Sequence, residues 1–365
     1  MITIVVILLF ILLSGIAYFV RSWTRLQKYN EKPLNISTFD GYNSPYHPSV
    51  LYFAERWNGY RYWMSETPFS PLAKPYRDRN ECPSIHCSDD GVNWCETAHN
   101  PIDNLTIEEI SELDYFSDTH LVFADGVLEC WYRLTHREGI KNRFHNLQLI
   151  RKKSRDGITW GDREVLVNLA TEEGNALGNM VVSPAILYKE GKYCMWYVDS
   201  ESRTKRGVSY SESPDGFKWE KKKDCTLCGG ENMPWHIDVN YIDGKYFLVM
   251  YDFNNLTLWE SSDGINFSYK KELLSPSVFG SFYGEGLYRA CIIKDNKYRI
   301  YFSADDSFST YIGLLEGEDI NNLTIVSNGI YTSPLGLCTL LFKRKKRSVI
   351  FVIKQLIKRI KAKAA

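Results

Sequence analysis

The alternation of apolar and polar positions divides the chain into three unlike parts. Residues 1–20 (MITIVVILLFILLSGIAYFV) carry no charged side chain. About 20 apolar residues in a helix span a bilayer. Nothing basic precedes this run and no small-residue cleavage site follows it, so residues 1–21 are expected to form an uncleaved transmembrane anchor; a cleaved signal peptide is the other reading. Residues 22–40 follow as a juxtamembrane linker. At the far end, over 337–365, Val349, Ile350, Phe351, Ile353, Leu356, Ile357 and Ile360 interleave with Lys354, Lys358, Arg359 and Lys361 at roughly helical spacing. That is the pattern of a basic amphipathic helix lying in a membrane interface, or of a solubilising tail.

Between these ends, over 41–336, one phrase recurs five times. An apolar strand is followed by a tight turn, an aromatic strand, a third strand, and then Asp-Gly with an aromatic residue. The copies start near His47, Ser117, Ser183, His236 and Tyr288, and the first four close at Trp94, Trp160, Trp219 and Phe267. The fifth lacks the closure, as terminal repeats often do. A first strand rich in β-branched apolar residues suits burial on both faces. The turns (ADG, KEGK, IDGK, KDNK) place Gly or Asn where a hairpin needs positive φ, and the Asp-Gly closures are expected to form type I′ turns between third and fourth strands. Repeats about 50–70 residues apart are the period of a propeller blade. Five such units closing on themselves protect their own edges. The expected fold is therefore all-β: a five-bladed β-propeller preceded by one transmembrane helix and followed by the basic helix.

Charge sharpens this picture. The formal net charge is zero, yet Lys343 to Lys363 hold ten Lys and Arg with no acid, and Arg21, Arg25, Lys28 and Lys32 face only Glu31. The body between them is thus about −13, which argues against nucleic acid as a ligand and for contact of the ends with an anionic membrane. All the basic residues near the span lie on its C-terminal side, which favours a cytoplasmic body over an extracytoplasmic one. Nine scattered cysteines suit reduced, mostly buried thiols. Cys225 and Cys228 form a lone CxxC with no second pair at zinc spacing, so no metal site and no cofactor are expected from motifs. Five sequons, at Asn35, Asn104, Asn255, Asn266 and Asn322, would matter only in a secreted chain. No Gly-rich phosphate loop, HExxH or GxSxG element occurs.

HPSVLYF from His47, the ECPS turn at Glu81 and the SxDGxxW closures resemble the five-bladed glycoside hydrolase-like propellers, among them arabinanases, xylosidases, invertases and mannoside phosphorylases. The resemblance covers about residues 41–320, and the same motifs also resemble a less-characterised, polysaccharide-associated branch. It implies a site at the channel mouth, where the inner strands begin. Related hydrolases carry an Asp at the start of blade one, an Asp in blade two and a Glu in blade three. Here blade one reads His47-Pro48, blade two offers Asp118, and blade three reads Val-Ser-Pro around Ser183, with no Glu.

Glycoside cleavage needs two carboxylates about 5–10 Å apart with one kept protonated. The candidates are Asp118, Glu81, Asp238 and Glu285. His47, His236, Tyr288, Arg289 and Trp235 are the candidate substrate-binding residues: Arg289 for a sugar carboxylate or phosphate, Trp235 and Tyr288 for a sugar face. The function expected is that of a carbohydrate-active enzyme at a membrane, cleaving a glycoside or transferring a glycosyl unit in surface-polysaccharide metabolism. The alternative is a non-catalytic glycan-binding propeller. Paired carboxylates across the mouth would favour the first; a mouth of aromatic and neutral polar groups would favour the second.

Overall fold

The computed structural model describes residues 2–29, 33–69, 81–136, 147–172, 174–202, 205–230, 233–276, 281–305 and 309–326. The basic tail expected over 337–365 lies outside them. Helix α1 runs Ile2–Tyr29, eight residues past the anchor boundary expected at 21. A five-residue helix, α2 (Ile107–Ser111), carries a Thr106/Glu109 capping box.

Five antiparallel sheets follow one another along the chain. Blade 1 is β1 (Pro45–Trp57), β2 (Tyr60–Pro68), β3 (Ser84–Ser88) and β4 (Cys95–Glu96). Blade 2 is β5 (Tyr115–Ala124), β6 (Val127–Thr135), β7 (Leu147–Ser154) and β8 (Glu164–Asn168). Blade 3 is β9 (Val182–Lys189), β10 (Lys192–Ser202), β11 (Lys205–Ser213) and β12 (Lys223–Asp224). Strand β13 (Thr226–Cys228) pairs parallel with the outer edge of blade 4, which is β14 (His236–Ile242), β15 (Lys245–Tyr251), β16 (Leu256–Ser261) and β17 (Asn266–Leu274). Blade 5 is β18 (Gly286–Lys294), β19 (Tyr298–Asp305), β20 (Thr310–Gly317) and β21 (Thr324–Ile325). The first strands touch in ring order, β1 to β5 to β9 to β14 to β18 and back to β1, so the five sheets close around one axis.

The repeated phrase has a packing reason. The large aromatic of a second strand lies on the closure glycine of the next blade. A Cβ added at Gly157 would meet the Trp63 ring at 2.2 Å, one at Gly216 would meet Trp131 at 3.0 Å, and one at Gly264 would meet Trp196 at 3.1 Å. Across the ring junction Tyr301 takes the same place against Gly91 and donates its O–H to Gly91 O. The Asp-Gly closures are not type I′ turns. Only the glycine has positive φ; the aspartate carboxylate accepts the N–H groups two and three residues on, as Asp156 does from Ile158 and Thr159, while Ser154 Oγ accepts from Gly157 N. The turns with two successive positive φ values are instead the first hairpins, at Asn58-Gly59, Asp125-Gly126, Glu190-Gly191 and Asp243-Gly244.

The segment expected as a linker is partly docked. Leu34 and Ile36 are buried with Val50, Ile312 and Leu314 at the junction of blades 1 and 5, and Leu34 N–H donates to Ile312 O. Ser44 and Ser309 hydroxyls, 2.8 Å apart, and Thr310 Oγ1 donating to Ser44 O tie the same junction. Along α1 the described large apolar side chains from Val6 to Val20 are about half exposed or more, apart from the partly buried Phe19. Over those side chains that are described, Val6 and residues 9–21, no helix is long and apolar enough to cross a membrane; the backbone helix is 28 residues and its first 19 are uncharged.

Candidate functional site

The mouth of the channel is built by one device used repeatedly. Near the start of β1, β5, β9 and β18 the register slips against the neighbouring strand. Such a bulge re-aims one side chain out of the alternation of the strand. In the first three blades the re-aimed residues are His47, Asp118 and Ser183, with φ of +52°, +53° and +52°. Non-glycine residues rarely adopt that conformation, and its cost is tolerated where geometry serves a site. Glu81, on the loop before β3, has φ of +47°. Blade 4 supplies His236 from the first position of β14 without a bulge.

These residues converge. His47, Asp118 and His236 each offer one ligand atom, and the three atoms lie within 4.8 Å of one another. Asp118 Oδ1 stands 3.7 Å from His47 Nε2 and 3.5 Å from His236 Nδ1. All three atoms are buried, and none has a hydrogen-bond partner among the described residues; His236 Nε2 is orphaned as well. Buried polar atoms are nearly always paired, so a cluster of lone pairs facing one point marks a ligand site.

The surrounding shell aims them. Asp118 Oδ2 accepts from Arg133 Nη2 at 2.7 Å and from Ser183 N–H at 2.9 Å, which leaves Oδ1 to face the imidazoles. His47 Nδ1 lies 2.7 Å from Thr67 Oγ1 and 3.4 Å from Glu81 Oε2, so its Nε2 is the free nitrogen. Burial lowers the His47 imidazole to about 3, and it holds His236 well below its ordinary value, so both are neutral donors. Burial alone would raise the Asp118 carboxyl; the Arg133 guanidinium, with Arg289 behind it, overrides it and keeps it ionised, far below the usual carboxylate range.

A second polar layer lies beneath. Arg289 is fully buried and donates Nη2 to Pro184 O at 2.9 Å, while its Nε and Nη1 meet no partner among the described residues. His120 Nδ1 stands 3.4 Å from Arg289 Nη2 and 3.7 Å from Asp238 Oδ1. Asp238 Oδ2 accepts the Ile292 N–H at 2.9 Å, and burial raises its carboxyl to about 6. Above, an aromatic wall runs outward: Tyr46 stacks on Tyr288 at 5.0 Å, Tyr288 lies 4.0 Å from the His236 ring, and Trp235 Nε1 donates to Tyr288 Oη at 3.0 Å.

Of the sequence candidates, His47, Asp118 and His236 thus meet as one cluster, Glu81 stands beside His47, and Tyr288 and Trp235 form the adjoining wall. Asp238 and Arg289 lie one layer down. Glu285 is exposed at the entry to β18. A metal-donor set was not expected from motifs, because its members come from three blades and share no local spacing. Arg133 and His120 were missed; Arg133 is a buried charge in the second strand of blade 2 and His120 a polar residue following Asp118 in its inner strand, which was the available signal.

No family model matches the chain. It is similar to an A type blood N-acetyl-α-D-galactosamine deacetylase from Flavonifractor plautii, 27% identical over 316 residues, a match that takes in 71% of this chain and 40% of that protein. The chain therefore spans less than half the length of that curated relative. Among solved structures, an N-acetylgalactosamine deacetylase from F. plautii in complex with blood group B trisaccharide matches with a TM-score of 0.65 at 20% identity, covering 79% of this chain and 95% of the other. The fold is that of the glycosidase-like five-bladed propellers. A xylosidase/arabinofuranosidase from a compost metagenome in complex with xylotriose has a TM-score of 0.55 at 10% identity, over 83% of this chain and 98% of the other. A Xanthomonas citri enzyme complexed with xylotriose reaches 0.56 at 10%, over 86% and 98%.

Proposed function

We propose that this chain is a metal-dependent hydrolase that removes the N-acetyl group from an amino sugar held at the channel mouth. The observation that carries the proposal is the donor set of His47, Asp118 and His236, buried, convergent and unpartnered where a glycosidase would place acids. Two imidazoles and one carboxylate with an open position are a catalytic ligand set for a divalent first-row ion. The oriented Oδ1 of Asp118 and the Thr67/Glu81 contacts of His47 supply the outer shell such ligands need. The similarity to proteins named as N-acetylgalactosamine deacetylases supports the same chemistry.

A bound ion supplies polarisation of the amide carbonyl. The remaining work falls to side chains. Glu81, on the rim beside His47, takes the proton from the attacking water and returns it to the departing amine nitrogen; the water oxygen stays on the acyl carbon, and acetate and a free amino sugar result. Tyr288 accepts from Trp235, and burial keeps its phenol protonated, so its O–H is a donor toward the mouth. Tyr46 and Tyr288 offer ring faces to the sugar. Glycoside cleavage is the second reading, and Asp238, a buried carboxyl raised to about 6 while Asp118 stays ionised, is what favours it. Against it, Asp238 is buried, and one of its carboxylate oxygens is held by Ile292 N–H.

The place of work in this proposal is a membrane surface, with α1 as anchor and the body on the cytoplasmic side. Uncharged residues 1–20 and the basic residues following them support this. Alkaline extraction and a reporter fused after Ala365 test it; a reporter active only outside the cytoplasm overturns the side assigned.

The deciding experiment is acetate release from N-acetylated oligosaccharides by the full chain, before and after chelation and metal restoration. Loss on chelation and recovery with about one equivalent of ion support the proposal. Sugar release without acetate, or full activity in metal-free protein, overturns it.

A further inference from the structure

The mouth holds a cation that the deacetylation chemistry does not use. Arg206 lies at the start of β11, just past the β10–β11 connection. Inner strand β9 begins at the mouth, β10 returns to it and β11 departs from it, so Arg206 stands on the same face of the propeller as His47 and Asp118. By the same alternation, Trp235 precedes β14 and Phe253 follows β15 on that face.

The guanidinium rests on these two rings. Its central carbon is 4.2 Å from the Trp235 ring centre and 4.9 Å from that of Phe253, and the two rings stack at 5.4 Å. A guanidinium laid on aromatic faces is held in one orientation while its in-plane N–H donors stay available. Arg206 Nε and Nη1 are enclosed and meet no hydrogen-bond partner among the described residues. An enclosed charged donor left unpaired is costly, so the arrangement is suited to receive an acceptor. Trp235 links it to the reaction site: its Nε1 donates to Tyr288 Oη, and Tyr288 packs on His236. One aromatic layer thus separates Arg206 from the donor cluster.

We propose that Arg206 is an anion subsite that recognises an acidic substituent on the sugar next to the one being deacetylated. This rests on the deacetylase reading for the identity of the neighbouring sugar, though not for the existence of the subsite. Its ligand is an oxyanion presenting two oxygens to the guanidinium edge: the carboxylate of a uronic acid or the phosphate of a phosphodiester-linked glycan. The established alternative use of such an arginine, a cation–π cap that only covers Trp235, predicts no ligand preference.

The test measures binding by calorimetry to the full chain in its metal-free form, so that turnover is not needed. Three probes share an N-acetylglucosamine unit: a neutral disaccharide, its glucuronate-containing counterpart, and an N-acetylglucosamine phosphodiester. An affinity at least about tenfold higher for one or both acidic probes is expected, falling by more than tenfold between 50 and 500 mM salt. Arg206→Gln is expected to bring the acidic-to-neutral ratio to about one, with Arg206→Lys between. The probe that binds better tells carboxylate from phosphate. Equal affinity of the wild-type chain for all three, or a preference that survives in Arg206→Gln, overturns the proposal. An acidic preference without any acetate release from the metal-loaded chain leaves the subsite standing and removes the deacetylase reading instead.

Discussion

Replacing His236 by leucine separates a metal ligand from a structural histidine. In the metal-free protein both ring nitrogens of His236 are buried without partners. Each unsatisfied buried group costs about 1–3 kcal/mol. Leucine is of similar volume, so the packing against Tyr288 and His47 is largely kept and the polar cost is removed. Metal-free His236→Leu is therefore expected to be as stable as the wild type or up to about 3 kcal/mol more stable. With ion present the order reverses. A ligand at 100 times its dissociation constant stabilises the state that binds it by about 2.7 kcal/mol. For a domain this large each kcal/mol moves the midpoint by roughly 2–4 °C, so the wild type should gain about 5–10 °C. The variant, short of one donor, should gain almost nothing. The assay is thermal unfolding of chelated and metal-restored protein, with bound metal counted by elemental analysis. An equal metal-induced rise in both proteins refutes the site. A loss of more than about 3 kcal/mol in the metal-free variant refutes the claim that the two nitrogens are unpartnered.

Other outcomes follow from the same contacts. Arg133→Met removes the 2.7 Å partner of the fully buried Asp118 and should cost about 3–5 kcal/mol in urea unfolding, with metal affinity down about 10–100-fold because Oδ1 loses its orientation. Gly157→Ala places a methyl 2.2 Å from the Trp63 ring at a φ of +76°, and should cost about 3 kcal/mol by the same measurement; no loss would refute the interblade role of the closure glycine. The turn carboxylates Asp156, Asp215 and Asp263 are lowered by backbone N–H donors, Asp156 to about 2. Their stabilisation is complete above the unfolded carboxylate value of about 4 and is lost as pH falls toward 2. The urea midpoint should decline across that window, less steeply in Asp156→Asn.

The architecture was legible in the sequence because each blade repeats a local necessity. A positive-φ turn, an apolar inner strand and a glycine that must admit a tryptophan all leave marks at fixed offsets. The detail of the Asp-Gly closure was less visible, since a type I′ hairpin and a carboxylate-capped loop use the same dipeptide. Which aspartate carbonyl or N–H is bonded depends on backbone angles that composition does not show. The site was legible residue by residue and not as a constellation. His47, Asp118 and His236 head inner strands, so their position at the mouth followed from the repeat. Their meeting within 4.8 Å depends on bulges at His47 and Asp118, and a one-residue slip in register is silent in an alternating strand. The contact of Arg206 with Trp235 was hidden differently: the two belong to adjacent blades, and only the packing of blade 4 on blade 3 stacks them.

The charges around the donor cluster bear on which chemistry it favours. Asp118 is already balanced by Arg133, and Arg289 adds a second buried guanidinium beneath it. With both imidazoles neutral, a divalent ion would leave the mouth with a surplus of positive charge that Glu81 and Asp238 only partly offset. Such a surplus penalises a reaction whose transition state is cationic, as glycoside cleavage through an oxocarbenium-like state is. It favours one in which negative charge develops, as on the carbonyl oxygen of an attacked amide. The same field reaches outward to Arg206 and would draw an acidic glycan toward the mouth. Under the deacetylase reading, His47 in place of the expected blade-one aspartate would remove a catalytic acid and a negative charge at once, which suits a reaction that develops negative charge.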